Sequence, residues 1–185
     1  LNNEKILKFG GKNHQLFFTI KNSELYKKLL MQLNKNKLFN FKNNFNYQNL
    51  KKNSYKLIFN CEYNNSISKK FFYKRLKKNY NSSAYITIIK HKKFLNNFIA
   101  TQTFTKIGPI AFLPLSATET SVVYSVKGKK KIDLNSLIKK YNTKYEIHRI
   151  ENSKSFELKS SNLRFYHHEN ILAFGDLLHR LHPLA

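Results

Sequence analysis

Asp176, His179 and His182 recur at three-residue intervals after the apolar run Ile171-Leu172-Ala173-Phe174 and Gly175. Two chemistries suit these residue types. A carboxylate at the end of a buried strand, reached over a glycine, accepts hydrogen bonds from the hydroxyls of a sugar or ribityl chain. Imidazoles and a carboxylate that converge can instead hold Zn2+ or Fe2+. His167-His168 lies upstream, but two histidines at i, i+3 without a matched third ligand give a metal little support, and no metal site is expected. No Ser-His-Asp arrangement follows from spacing. The single Cys61 excludes an internal disulfide and a cysteine-built metal cage, and agrees with a reducing compartment.

Two further stretches carry candidate residues. One is Gly108-Pro109-Ile110-Ala111-Phe112-Leu113-Pro114-Leu115, followed by Ser121-Val122-Val123-Tyr124. On its own it reads as a core strand interrupted by proline. The other is Asn60-Cys61-Glu62-Tyr63-Asn64-Asn65-Ser66-Ile67-Ser68, in which Glu62 reads as a turn acid.

The elements that must position these residues follow from periodicity. Two apolar runs around Gly10-Gly11 predict a hairpin within residues 5–20. Asn22-Ser23 offers a helix cap before Leu25, Leu29, Leu30 and Leu33, so residues 24–34 should be helical. Residues 36–54 show only weak strand patterning, whereas 55–59 read as a strand. From residue 84 onward the chain is β-rich, with strands expected over 84–89, 98–104, 110–115 and 121–126. Asp133 should cap a helix with Leu134, Leu137, Ile138 and Tyr141 at i, i+3, i+4 and i+7. Strands are expected again over 145–150 and 171–174.

Composition narrows the class. Of 185 residues, 41% are hydrophobic and 15% aromatic, too many for a disordered chain. The longest nearly uncharged apolar stretch, residues 107–117, is broken by Gly108, Pro109 and Pro114 and falls short of the ~20 residues of a membrane span. A net charge of +24 raises a nucleic-acid-binding module as an alternative. Lys is nevertheless spread through almost every segment and accompanied by abundant Asn, Ile, Phe and Tyr. That joint bias is what AT-rich coding produces at tolerant surface positions, so a solvated basic surface is expected and no nucleic-acid partner. Lys69-Lys70-Phe71-Phe72-Tyr73-Lys74-Arg75-Leu76-Lys77-Lys78 is the densest basic cluster. It reads as an amphipathic segment, with contact to RNA or an anionic membrane as the alternative.

The C-terminal stretch resembles the second flavin-binding motif of the FAD-dependent aromatic hydroxylases, G-D-A-x-H-x-x-x-P-x-x-G-Q-G. It is most similar to the ubiquinone-biosynthesis hydroxylases of the octaprenyl-methoxyphenol type, G-D-A-x-H-x-L-H-P-x-A-G-Q-G. Gly175, Asp176, His179, Leu181, His182, Pro183 and Ala185 match. The resemblance implies that Asp176 accepts hydrogen bonds from the ribityl chain, that Gly175 lets the backbone approach the cofactor, and that Pro183 shapes the pocket above the flavin ring. Residues 108–115 resemble the family's G-P-x-A-x-L-P-L, which implies a substrate pocket lined by Phe112, Leu113 and Pro114. Residues 60–68 resemble a degraded G-A-D-G-x-x-S motif. Glu62 stands for the cofactor-binding aspartate, Tyr63 replaces a glycine, and Lys69 or Lys70 replaces an arginine.

The resemblance covers nearly the whole chain and implies an α/β, partly α+β-like, fragment of the p-hydroxybenzoate hydroxylase-type fold. Its expected divisions are 1–20, substrate-domain strands; 21–78, part of the FAD-binding domain; 79–165, the β-rich substrate domain; and 166–185, the return to the FAD-binding domain. With five glycines, the sequence has no G-x-G-x-x-G loop. It opens on Leu1 and stops where Gly-Gln-Gly is expected, so an internal fragment of a longer protein is expected, binding FAD weakly by itself. The implied whole enzyme is an FAD-dependent monooxygenase that uses NAD(P)H and O2 to hydroxylate a polyprenylated phenol. It is expected in the cytoplasm, peripheral on the inner membrane face, with other ubiquinone-biosynthesis proteins as partners. A non-catalytic relative is the alternative that Tyr63 raises.

Overall fold

The computed structural model describes residues 18–42, 55–128 and 132–180. The hairpin expected over residues 5–20 lies almost wholly outside them, as do residues 43–54 and Leu181, His182, Pro183 and Ala185. The described chain is a mixed α/β structure dominated by two sheets.

The small sheet combines β1 (Ile58–Asn60), β9 (Ile171–Ala173) and β8 (His167–His168) in the order β1-β9-β8. β1 and β9 run parallel, with Asn60 opposite Ala173. The large sheet is antiparallel. Its members are β2 (Arg75–His91), β3 (Thr101–Phe104), β4 (Pro109–Pro114), β5 (Glu119–Lys127), β6 (Ile147–Ile150), β7 (Lys154–Leu163) and β10 (His179–Arg180). They run in the order β10-β7-β2-β5-β4-β3, with β6 also on β2. β5 occupies one edge of β2, while β6 and β7 follow one another along the other.

The alternation of β4 and β5 determines where the core sits. Ile110 and Phe112 pair with Tyr124 and Val122, and all four are buried on one face. Helix α3 (Leu134–Tyr141) covers that face with Leu134 and Ile138. Its start is set by Asp133, whose carboxylate accepts from the Asn135 and Ser136 amides. The polar groups inside this core pair with one another. His91 meets the Thr120 hydroxyl at 3.0 Å, Asn97 donates to the same oxygen at 3.2 Å, and Tyr145 donates to Asn97 at 2.8 Å.

A second core joins the two sheets. Ile67 and Phe72, from α2 (Ser66–Phe71) and its end, pack with Leu163, Ile171, Ala173 and Leu177. Helix α1 (Asn22–Leu33) has no buried residue. It begins two residues before the expected 24, and Asn22 lies inside it rather than capping it. The Lys21 carbonyl instead accepts from the Glu24 and Leu25 amides. Several strands also differ from their sequence reading, β1 beginning only at Ile58 rather than at residue 55. Residues 98–100 and 145–146 stay outside β3 and β6, and β2 extends the expected 84–89 in both directions.

Candidate functional site

Parallel strands end their backbone ladders at the same edge, where loop amides and side chains are free to meet a ligand. β1 and β9 do this here. Past Asn60 the chain turns into Cys61-Glu62-Tyr63; past Ala173 it turns into Phe174-Gly175-Asp176. The two exits are tied directly, the Phe174 amide donating to the Asn60 carbonyl at 2.9 Å.

A buried amide network shapes the first exit. Asn65 caps α2, accepting from the Ser68 amide at 2.8 Å, and its Nδ2 donates to Asn60 Oδ1 at 2.6 Å. Asn60 Nδ2 donates to Ser68 Oγ at 2.8 Å, and Ser68 Oγ donates to the Glu62 carbonyl. The Glu62 main chain is thus fixed from beneath while its side chain stays exposed.

The second exit is a single 3-10 turn, Gly175–Leu177, anchored by fully buried Leu177. Gly175 has φ of +59°, the left-handed region where glycine is unstrained, and a Cβ there would meet nothing within 4 Å. The space above it is open. Asp176 is exposed, and no side chain among the described residues engages its carboxylate.

Sequence reasoning missed Arg75, the first residue of β2. Its Nη1 donates to the Leu177 carbonyl at 3.1 Å, and its guanidinium lies 4.1 Å from the Tyr63 ring centroid. A contact spanning 102 residues leaves no local signal in a sequence. Lys69 and Lys70, the expected replacements for the motif arginine, are exposed in the last turn of α2.

The described histidines do not gather, and His182 lies outside the described residues. His179 Nδ1 lies 3.1 Å from Asn162 Oδ1, whereas His168 stacks on Phe71 at 4.2 Å. Among the described residues no group of three His, Cys, Asp or Glu side chains is placed to hold a metal.

Phe112, Leu113 and Pro114 are consecutive in β4, so they cannot share a face. Phe112 is buried in the core with Tyr145, 6.2 Å between ring centroids. Pro114 points to that same side, and Leu113 faces the other way. The face opposite α3 carries Leu113 and Ala111 beside Ser121 and Val123, then Ile88 and Ile86 of β2, in register and all half-buried. It is an apolar, partly open surface. Gly108, just before β4, lies against β5; a Cβ there would fall 1.8 Å from the Ser125 carbonyl oxygen.

No family model matches the sequence, and no curated protein does. Solved structures do. A triple mutant of the flavin-dependent brominase Bmp2 aligns with 70% of this chain and 38% of its own, at 14% identity and a TM-score of 0.53. Another structure of that brominase aligns over 70% and 37%, at 15% identity and a TM-score of 0.50. At such identities the likeness is one of fold, and the chain spans less than two-fifths of those structures. The expected fold class is the observed one: a sheet-dominated α/β chain matching part of a fold used by flavin-dependent enzymes.

Proposed function

We propose that this chain is part of an FAD-dependent monooxygenase that hydroxylates the ring of a polyprenylated phenol, as in ubiquinone biosynthesis. The carrying observation is the parallel β1–β9 pair, which brings the Gly175–Asp176 turn and the Glu62 loop to one sheet edge. The residues there fit a ribityl chain. Gly175 leaves open space, and the Asp176 carboxylate is exposed and unengaged among the described residues. The Glu62 carboxylate stands at the neighbouring exit as a second acceptor. The chemistry supplied when FAD is bound is activation of O2 for ring hydroxylation, with electrons from NAD(P)H.

The chain's own contribution is binding and exclusion of water. Asp176 orients the cofactor's polyol, with Pro183 beside the ring by resemblance. Ile86, Ile88, Ala111, Leu113 and Val123 offer an apolar wall to an aromatic substrate. The outer face of the small sheet supports a larger whole. Phe59 and Phe174 pack edge-to-face at 5.9 Å yet remain 58% and 59% exposed, whereas parallel strands are ordinarily covered on both faces. No helix among the described residues is long and apolar enough to cross a membrane. The basic surface suits a peripheral position on an anionic inner-membrane face, near other ubiquinone-biosynthesis proteins.

FAD titration of the intact protein tests this reading. Asp176→Ala removes a charge-assisted acceptor, about 1.5–3 kcal/mol, and should weaken FAD roughly tenfold to a hundredfold. His179→Ala should cost less. Unchanged FAD affinity in Asp176→Ala, with activity and bound metal lost in His179→Ala, would overturn the assignment. One observation favours a second reading, a non-catalytic relative. Tyr63, where the resemblance expects glycine, fills its loop beneath Arg75. Wild-type protein that takes up no FAD would select it.

A further inference from the structure

Resting on that flavin reading, we propose that Arg75 is a positioning residue which, with Tyr63, sets the Gly175–Asp176 turn against the Glu62 loop. Each loop has its own anchor. Leu177 is buried and the Leu178 amide donates to the Gly175 carbonyl at 3.0 Å; Asn60, Asn65 and Ser68 hold Glu62. Beyond the Phe174–Asn60 backbone bond and the Phe59–Phe174 ring contact, the Arg75 side chain touches both exit loops.

The chemistry of the residue suits this task. A guanidinium is flat, so it can lie on an aromatic face while its edge donates in plane to a carbonyl. Arg75 does both, at 4.1 Å from the Tyr63 centroid and 3.1 Å from the Leu177 oxygen. An ammonium is a point charge with no flat face, so it would hold the ring and the carbonyl in a less fixed geometry. Arg75 is half-buried and its backbone is held in β2 opposite Leu163, so the strut has a rigid base. The bulky Tyr63 in place of a glycine is thereby explained: its ring is the surface on which the strut rests. The pair sets the spacing of the two acceptors, Asp176 and Glu62, that a ribityl chain would meet.

The test is a double-mutant cycle in the intact protein with Arg75→Met, Tyr63→Leu and both together, with Arg75→Lys as the conservative variant. FAD affinity should fall about fivefold to tenfold in either single variant, and the double variant should fall no further than a single one. Arg75→Lys should recover less than half of the loss. Amide hydrogen exchange of the FAD-free variants gives a second readout: exchange should quicken together in residues 61–64 and 175–178. Wild-type affinity in Arg75→Met while Asp176→Ala binds weakly would overturn the proposal and leave the flavin reading standing. Should wild type bind no FAD, the flavin reading fails, and exchange alone decides the coupling. Unchanged exchange in both segments would then overturn it. If Arg75→Met does not fold, Tyr63→Leu and Arg75→Lys decide by the same two readouts.

Discussion

Asn65→Ala should destabilise the protein by about 2–4 kcal/mol, and the structure says why. The side chain makes three contacts at the exit of β1. Its Oδ1 accepts from the Ser68 amide at 2.8 Å and faces Asn60 Nδ2 at 3.4 Å, and its Nδ2 donates to Asn60 Oδ1 at 2.6 Å. Loss of the helix cap is worth about 1 kcal/mol. Asn60 is buried, so its orphaned Oδ1 carries a desolvation cost of about 1–3 kcal/mol. For a chain of this size the sum corresponds to a fall of about 5–15 °C in thermal midpoint. Asn65→Asp keeps the cap but sets a second acceptor against Asn60 Oδ1, so it should recover only part of the loss. The assay is thermal and urea unfolding of the three proteins, with amide exchange at Phe174. That amide bonds the Asn60 carbonyl and should loosen with the network. A midpoint for Asn65→Ala within about 1 °C of wild type would refute the reasoning, because it would mean the network contributes nothing net.

Other perturbations follow from the same geometry. Gly108→Ala would drive a Cβ to 1.8 Å from the Ser125 carbonyl oxygen and should cost at least ~1–3 kcal/mol, read by urea unfolding. Ile138→Ala empties a fully buried position under α3 and should cost about 2–5 kcal/mol by the same assay. Glu119 bonds Lys21 at 2.5 Å and has Lys90 at 3.6 Å; the Lys21 hydrogen bond holds its carboxyl below the ordinary value. A lowered folded pKa contributes stability above the unfolded value that is lost as pH falls through the folded one. The difference in unfolding free energy between wild type and Glu119→Gln should thus be positive at neutral pH, about 0.2–1 kcal/mol for this part-exposed pair, and vanish in acid. A difference that grew on acidification would contradict the sign.

The local signals in the sequence were sufficient for most elements. The spacing of Leu134, Leu137, Ile138 and Tyr141 and the cap at Asp133 specify α3, because helix periodicity and capping are set within a few residues. Alternation over 110–115 and 121–126 likewise reads as strands whose one side is buried. β7 was not legible. Lys154–Leu163 holds three Ser, two Lys, one Glu and one Asn and has little β propensity of its own, and it becomes a strand through its pairing with β2. The cluster over 69–78 divides between α2 and β2 for the same kind of reason, since buried Phe72 and Leu163 meet only once the sheets are assembled.

The candidate site divides along the same line. Gly175 and Asp176 could be singled out because an apolar run that ends on Gly-Asp is a local pattern; their place in the turn after β9, with Gly175 in the left-handed region, is what the structure adds. That Phe112 and Leu113 take opposite faces follows from strand geometry alone, but which face α3 covers does not. Tertiary structure alone decided that β1 lies parallel to β9, that Asn60 and Asn65 satisfy each other in the interior, and that Arg75 reaches both Tyr63 and Leu177. Of these, the β1–β9 pairing and the Arg75–Leu177 bond join residues about a hundred positions apart. Their energy exists only after the intervening sheet has closed the loop, so the chain's local propensities carry no trace of them.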